Sequence, residues 1–290
     1  MESILADLRP IAKFKARSHE TSKNAHLPLL LLQSHLDSRR SRSGPVVVLL
    51  GDSMLERMTT TGGYPNLVAP WPSPAMLSDD GLRALSLRER GSRKEGDEEE
   101  GRGGEKEDLK RLEGVFNAGV GGDTIQNLAY RLVGTGNENG DGKGNGEDLP
   151  GLLPALAAAG TVQLWVVHVG TNNLSPKKGL SDGDADALRR VVAAVSRVHL
   201  ERGECRVLVT GLFHRRDMSR ELVDRANEKI RAVVERLQRE CGTERVAYLP
   251  SATAVRMEDH LEDHVHLTLE GYQLWMEELF PAVARLLESV

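Results

Sequence analysis

Strands alternating with amphipathic helices from residue 46 onward predict a three-layer α/β/α domain built around a five-stranded parallel sheet. Two observations carry this expectation. Short runs rich in valine and leucine recur along the chain and stop at glycine or small polar residues, as strands buried on both faces do. Between them lie segments whose apolar residues repeat every three or four positions, the period of a helix that covers a sheet. No internal repeat and no second domain is visible. At 290 residues and 39% hydrophobic composition the chain has enough apolar material for one sizeable core.

The first strand, 46–50, reads Val-Val-Val-Leu-Leu and is broken by Gly51 and Asp52 immediately before Ser53. Ser53 therefore belongs at the carboxyl end of a central strand, followed by a turn or two of helix that stops at Thr-Thr-Thr-Gly-Gly. A second strand begins near Gly114, runs into a glycine turn that ends in Gly122 and Asp123, and leads to a helix over 124–132. The third strand, 162–169, stops at Gly170-Thr-Asn-Asn, and the helix over 185–200 repeats Leu188, Val191, Val192, Val195 and Val198 on one face. A strand at 206–212, a helix at 222–237, a strand at 245–249 and a last helix from about Thr268 toward Leu287 complete the alternation. Trp165 and His168 read as packed core, whereas Tyr64 and Trp71 are candidates for the mouth of a site.

Three stretches fall outside this pattern. Residues 1–44 mix basic residues, serine and a few leucines, and read as a loosely ordered leader whose 27–36 segment is able to pack as a helix on the domain at 45–290. Its acidic residues Glu2, Asp7 and Glu20 argue against a transit peptide. Insertions at about 79–112 and 134–148 are built from charged residues, glycine and asparagine, too poor in apolar surface to offset their ordering entropy, and are expected to be disordered.

A formal net charge of -5 gives no attraction for nucleic acid and makes a neutral or cationic small substrate easier to accommodate than an anionic one. The only cysteines, Cys205 and Cys241, are too few for a disulfide framework and read as two buried thiols of a reduced, cytoplasmic protein. The apolar run at 27–32 is far too short to span a membrane.

The chemistry-bearing residues fall where a parallel sheet gathers them. Ser53, Gly122 with Asp123, and Asn172 each follow a strand, and Asp263 and His266 follow the last one, so all share the carboxyl rim. A serine hydroxyl becomes a nucleophile when a histidine accepts its proton, and the resulting imidazolium needs an acceptor on its other nitrogen. His266 and Asp263 are spaced for one turn to present both. The backbone N–H groups of Ser53 and Gly122 and the Asn172 amide are donors for a developing oxyanion. Asp52 and Asp123 read as supporting residues that cap or brace the adjoining loops, Asp123 as N-cap of the helix at 124. The histidines at 260, 264 and 266 with Asp259 and Asp263 also allow a metal site, which would leave the serine and the donors unexplained, so no metal or cofactor is expected.

Gly51-Asp52-Ser53, the turn Asn117-Ala-Gly-Val-Gly-Gly-Asp-Thr, Gly170-Thr-Asn172-Asn and Asp263-x-x-His266 together resemble the four blocks of the SGNH (GDSL-type) hydrolases, in that family's order. The glycine turn, Tyr130-Arg131-Leu132 and Val169-Gly-Thr-Asn-Asn are most similar to the intracellular platelet-activating-factor acetylhydrolase catalytic subunits. The resemblance implies a flavodoxin-like sheet and a metal-free serine esterase that forms an acyl-enzyme. It makes Ser53 nucleophile, His266 base, Asp263 its orienter, and Ser53, Gly122 and Asn172 the oxyanion hole. A small acyl ester is the implied partner. Carbohydrate O-deacetylase, thioesterase and acyltransferase use of the same triad, or a retired binding scaffold, stay open. The resemblance favours a homodimer, although no exposed apolar stripe in the sequence supports one.

Overall fold

The computed structural model describes residues 1–30, 45–63, 70–78, 111–135, 149–198, 205–242 and 245–288. Five strands, β1 (Val47–Gly51), β2 (Val115–Gly119), β3 (Leu164–His168), β4 (Arg206–Thr210) and β5 (Val246–Leu249), form one sheet in the order β2-β1-β3-β4-β5. Every neighbouring pair is parallel, which is the flavodoxin-like arrangement expected. Strands β1 to β4 are buried along their whole length, which is why they read as continuous apolar runs.

Side-chain alternation divides the core in two. Val48, Leu50, Phe116, Trp165, Val167, Val207 and Val209 point to one face, where α4 (Ile125–Val133), α5 (Leu152–Ala159), α6 (Asp182–Ser196) and α7 (Arg220–Cys241) pack. Val47, Leu49, Val115, Leu164, Val166 and Leu208 point to the other, against Leu55 of α3 (Ser53–Glu56) and Tyr272, Trp275, Met276 and Leu279 of α8 (Leu269–Glu288). Each fully buried leucine or valine contributes about 1.5–3 kcal/mol by leaving water.

Residues 1–30 correct the expectation of a loose leader. Helices α1 (Glu2–Leu8) and α2 (Ala16–Thr21), with helical turns continuing to Leu30, bury Ile4, Leu5, Leu8, Leu27 and Leu30 in the first core. Polar contacts complete the docking: the Lys13 amide donates to Gln126 O (3.0 Å), Asn127 Nδ2 donates to Lys13 O (2.9 Å), and Arg197 pairs with Asp7 (2.5 Å). Its apolar residues are short-range and scattered among charges, so no helical stripe long enough to recognise exists in the sequence. The remainder of that leader and nearly all of both insertions lie outside the described residues, as does Tyr64. Their described margins are tied down, Leu112 bridging to Trp71 and Gly134 to Pro150.

Three further expectations change. Trp71 is fully buried against Phe280 and does not reach a site mouth. Helix α5 was not foreseen, because its leucines and alanines show no polar face to give a period. Of the two cysteines, only Cys205 is buried, while Cys241 is half-buried.

Candidate active site

The connection after β1 is tight for a steric reason. A Cβ on Gly51 would lie 1.9 Å from the His168 carbonyl oxygen of β3, so only glycine lets the two strands close at this rung. Asp52 then caps α3, its Oδ1 accepting from the Met54 amide at 3.1 Å, and Ser53 begins the helix with its side chain facing the rim. Two bonds hold that helix from beneath: Asn117 Nδ2 donates to Leu55 O (2.8 Å) and the Tyr272 hydroxyl donates to Met54 O (2.8 Å).

Ser53 meets the loop that precedes α8. Its Oγ lies 2.9 Å from His266 Nε2, and His266 Nδ1 lies 2.7 Å from Asp263 Oδ2. The other Asp263 oxygen accepts from the Val265 and His266 amides, both at 2.8 Å. Desolvation pushes the Asp263 carboxyl upward, but the hydrogen bonds from His266 and Val265 outweigh it and hold Asp263 well below the usual carboxylate range. A charged acceptor thus fixes the imidazole with Nε2 toward the serine.

The loop itself is held by a residue that sequence reasoning missed. The Arg216 guanidinium donates to the carbonyls of Met257 (3.0 Å), Glu258 (3.0 Å), Leu261 (3.1 Å) and Asp263 (3.0 Å), and its amide donates to His264 O at 2.9 Å. No pattern marks it, because the partners are backbone atoms spread over the loop. His264 faces outward, 3.9 Å from Asp217, and His260 Nδ1 accepts from the Arg256 amide at 2.9 Å. Among the described residues no three histidine, cysteine or acidic side chains converge to hold a metal.

Across from this loop stand the other rim residues. Gly122 has φ +75°, a conformation that favours glycine. Among the described residues neither the Ser53 nor the Gly122 N–H has a protein acceptor. Asn172 Nδ2 donates one hydrogen to Asp123 O (2.9 Å), which orients the amide and leaves its second hydrogen free. The structure thus gathers Ser53, Gly122, Asn172, Asp263 and His266 on the carboxyl rim.

Asp123 is not the N-cap of α4. Thr124 is, in a reciprocal capping box with Asn127. Asp123 instead is fully buried beneath the rim, bound to Arg131 Nε at 2.7 Å and accepting from Ser18 Oγ. Arg131 also donates to Ala118 O (2.8 Å) and Gly51 O (3.2 Å), joining the ends of β1 and β2 to α4. In sequence it is an arginine on the apolar face of a predicted helix, a signal that the periodicity reading passed over. Asp52 is also fully buried, with Oδ2 unpartnered. Desolvation pushes its carboxyl up to about 7, with the Met54 amide bond opposing. His168 is core as expected, its Nδ1 2.7 Å from the Thr210 hydroxyl, and burial holds it down to about 3.

A sequence model of the GDSL-like Lipase/Acylhydrolase family matches residues 96–274. That span contains Gly122, Asn172, Asp263 and His266, and Ser53 precedes it. No curated protein matches the chain. Similar solved structures include a family two carbohydrate esterase from Clostridium thermocellum, with 11% identity over 86% of this chain and 66% of that one and a TM-score of 0.50. A family 3 carbohydrate esterase from Talaromyces cellulolyticus has 16% identity over 84% and 98%, TM-score 0.48. The lipase/acylhydrolase from Enterococcus faecalis has 14% identity over 82% and 95%, TM-score 0.45. At such identities the likeness is one of fold. The family match spans more than half of the sequence, so the chain belongs to the GDSL-like lipase/acylhydrolase family and is a hydrolase acting on esters.

Proposed function

We propose that the protein is a serine esterase that removes a small, acetyl-like acyl group through an acyl-enzyme, with Ser53 as nucleophile, His266 as base and Asp263 as the residue that orients it. The observation that carries this reading is the continuous chain from Ser53 Oγ to His266 Nε2 (2.9 Å) and from His266 Nδ1 to Asp263 (2.7 Å). Ser53 Oγ attacks the acyl carbon while His266 Nε2 takes its proton, and the imidazolium is stabilised by the Asp263 carboxylate. The carbonyl oxygen becomes an oxyanion, accepted by the N–H groups of Ser53 and Gly122 and the free Asn172 hydrogen. Collapse breaks the ester C–O bond, His266 returns the proton to the leaving alkoxide, and the acyl group stays on Ser53. Water, deprotonated by His266, then releases the carboxylic acid and restores the serine.

The preference for a small acyl group rests on the likeness of the glycine turn and of Val169-Gly-Thr-Asn-Asn to the acetylhydrolase subunits. The test is Ser53→Ala assayed on p-nitrophenyl acetate and butyrate, expected to fall to the rate of the uncatalysed reaction while the fold persists. Turnover equal to wild type in a folded variant contradicts the reading. A panel of acetyl, butyryl, octanoyl, acetyl-sugar and acyl-CoA substrates, with Ser53→Ala as blank, separates simple esterase from deacetylase and thioesterase use.

A further inference from the structure

The N-terminal segment does more than cover the core: it lays a cation on the oxyanion side of the site. Lys15 Nζ donates to Gly121 O at 3.3 Å, and a Cβ on Gly122 would lie 2.6 Å from that nitrogen. The ammonium therefore occupies the space that the missing side chain of Gly122 leaves open. Contacts on both sides fix it there. Lys13 is bound through its backbone to Gln126 and Asn127, and Ser18 donates to the buried Asp123. Between them the Phe14 ring meets Tyr130 edge-on at 5.5 Å.

Lys15 also differs from the other cations of the rim. Arg17 pairs with Glu56 (2.8 Å), Arg57 with Glu262 (2.9 Å), and Arg215 with Asp217 (2.7 Å) while donating to the Thr171 carbonyl. Among the described residues the Lys15 ammonium has no carboxylate partner, and its one hydrogen bond is to the Gly121 carbonyl. An ammonium that has surrendered little of its charge, half-buried beside a backbone donor of the reaction, is attracted to an anionic group on the substrate far more strongly than one in open water. The overall charge of -5 works against anions, so the preference must come from this local cation.

We infer that Lys15 is a specificity-determining residue that makes the site favour esters bearing an anionic group, such as a carboxylate, over their neutral counterparts. This rests on the proposed role of Ser53, and the experiment separates the two. Wild type, Lys15→Gln, Lys15→Arg and Ser53→Ala are assayed on 4-acetoxybenzoate and on its methyl ester, with the charge on the leaving group. A second pair, 4-nitrophenyl hydrogen suberate and 4-nitrophenyl octanoate, carries the charge on the acyl chain. Lys15→Gln is expected to lower kcat/KM for the anionic member of at least one pair about tenfold more than for the neutral member. Lys15→Arg keeps the wild-type ratio within about twofold, and 1 M NaCl shrinks that ratio in wild type. Equal losses on charged and neutral members of both pairs overturn the inference and leave Ser53 untouched. Persistent hydrolysis of all four esters by folded Ser53→Ala overturns the proposed function instead.

Discussion

Two arginines hold the two halves of the site, and they do so in opposite ways. Arg131, beneath the Ser53 half, is fully buried, joined to a buried carboxylate and to carbonyls at the ends of β1 and β2. Arg216, behind the His266 half, is exposed and spends its guanidinium on four loop carbonyls. Removing Arg131 strands the Asp123 charge in the interior, whereas water can replace Arg216 at every carbonyl it serves. Loss of the frame beneath Ser53 is thus expected to unfold the protein. Loss of the hold on the His266 loop is expected only to misplace it.

The comparison breaks most directly at Arg131. Arg131→Met is expected to lower unfolding stability by about 3–5 kcal/mol in urea denaturation, with Asp123→Leu added to the same chain recovering part of it. A loss under about 1 kcal/mol contradicts the buried-frame account. Asn172→Ala tests the rim above that frame. It should cost about 10² to 10³ in kcat, measured on p-nitrophenyl acetate, without a comparable loss of stability.

Arg216→Ala sharpens the other side. Steady-state assays should show kcat down by about 10- to 100-fold through a misplaced His266, with the urea midpoint nearly that of wild type. A stability loss equal to that of Arg131→Met would erase the distinction. At Asp52 the expected effect is a pH dependence of stability. Its folded carboxyl titrates at about 7 and its unfolded one near 3.8, so the native state holds an extra proton between those values. The stabilisation this carries is fully present below about pH 4 and is lost as pH rises toward 7, a slope of about 1.4 kcal/mol per pH unit. Asp52→Asn keeps the cap and should remove that slope, read from denaturation curves at several pH values.

The five strands, five of the helices and the five rim residues were legible in the sequence, because each rests on a local signal. Aliphatic runs mark strands, period marks helices, and a parallel sheet places Ser53, Gly122, Asn172, Asp263 and His266 at one edge without further information. What escaped depends on contacts between distant segments. Arg131 and Asp123 are explained only once β1, β2 and α4 meet, and Arg216 only once the loop folds over it. The N-terminal helices were illegible for the same reason. Their hold is shared between a few leucines and polar bonds such as those of Lys13 and Ser18, none of which has a sequence period.

The central claim is that Ser53 carries the acyl group, and covalent capture tests it with least intervening inference. Wild type is treated with a fluorophosphonate probe, digested with trypsin, and peptide 43–57 is sequenced by mass spectrometry. One adduct is expected, on Ser53, with labelling slowed by about 10³-fold or more in His266→Ala, which removes the proposed base. An enzyme that hydrolyses p-nitrophenyl acetate but takes the label on another residue, or takes none, contradicts it.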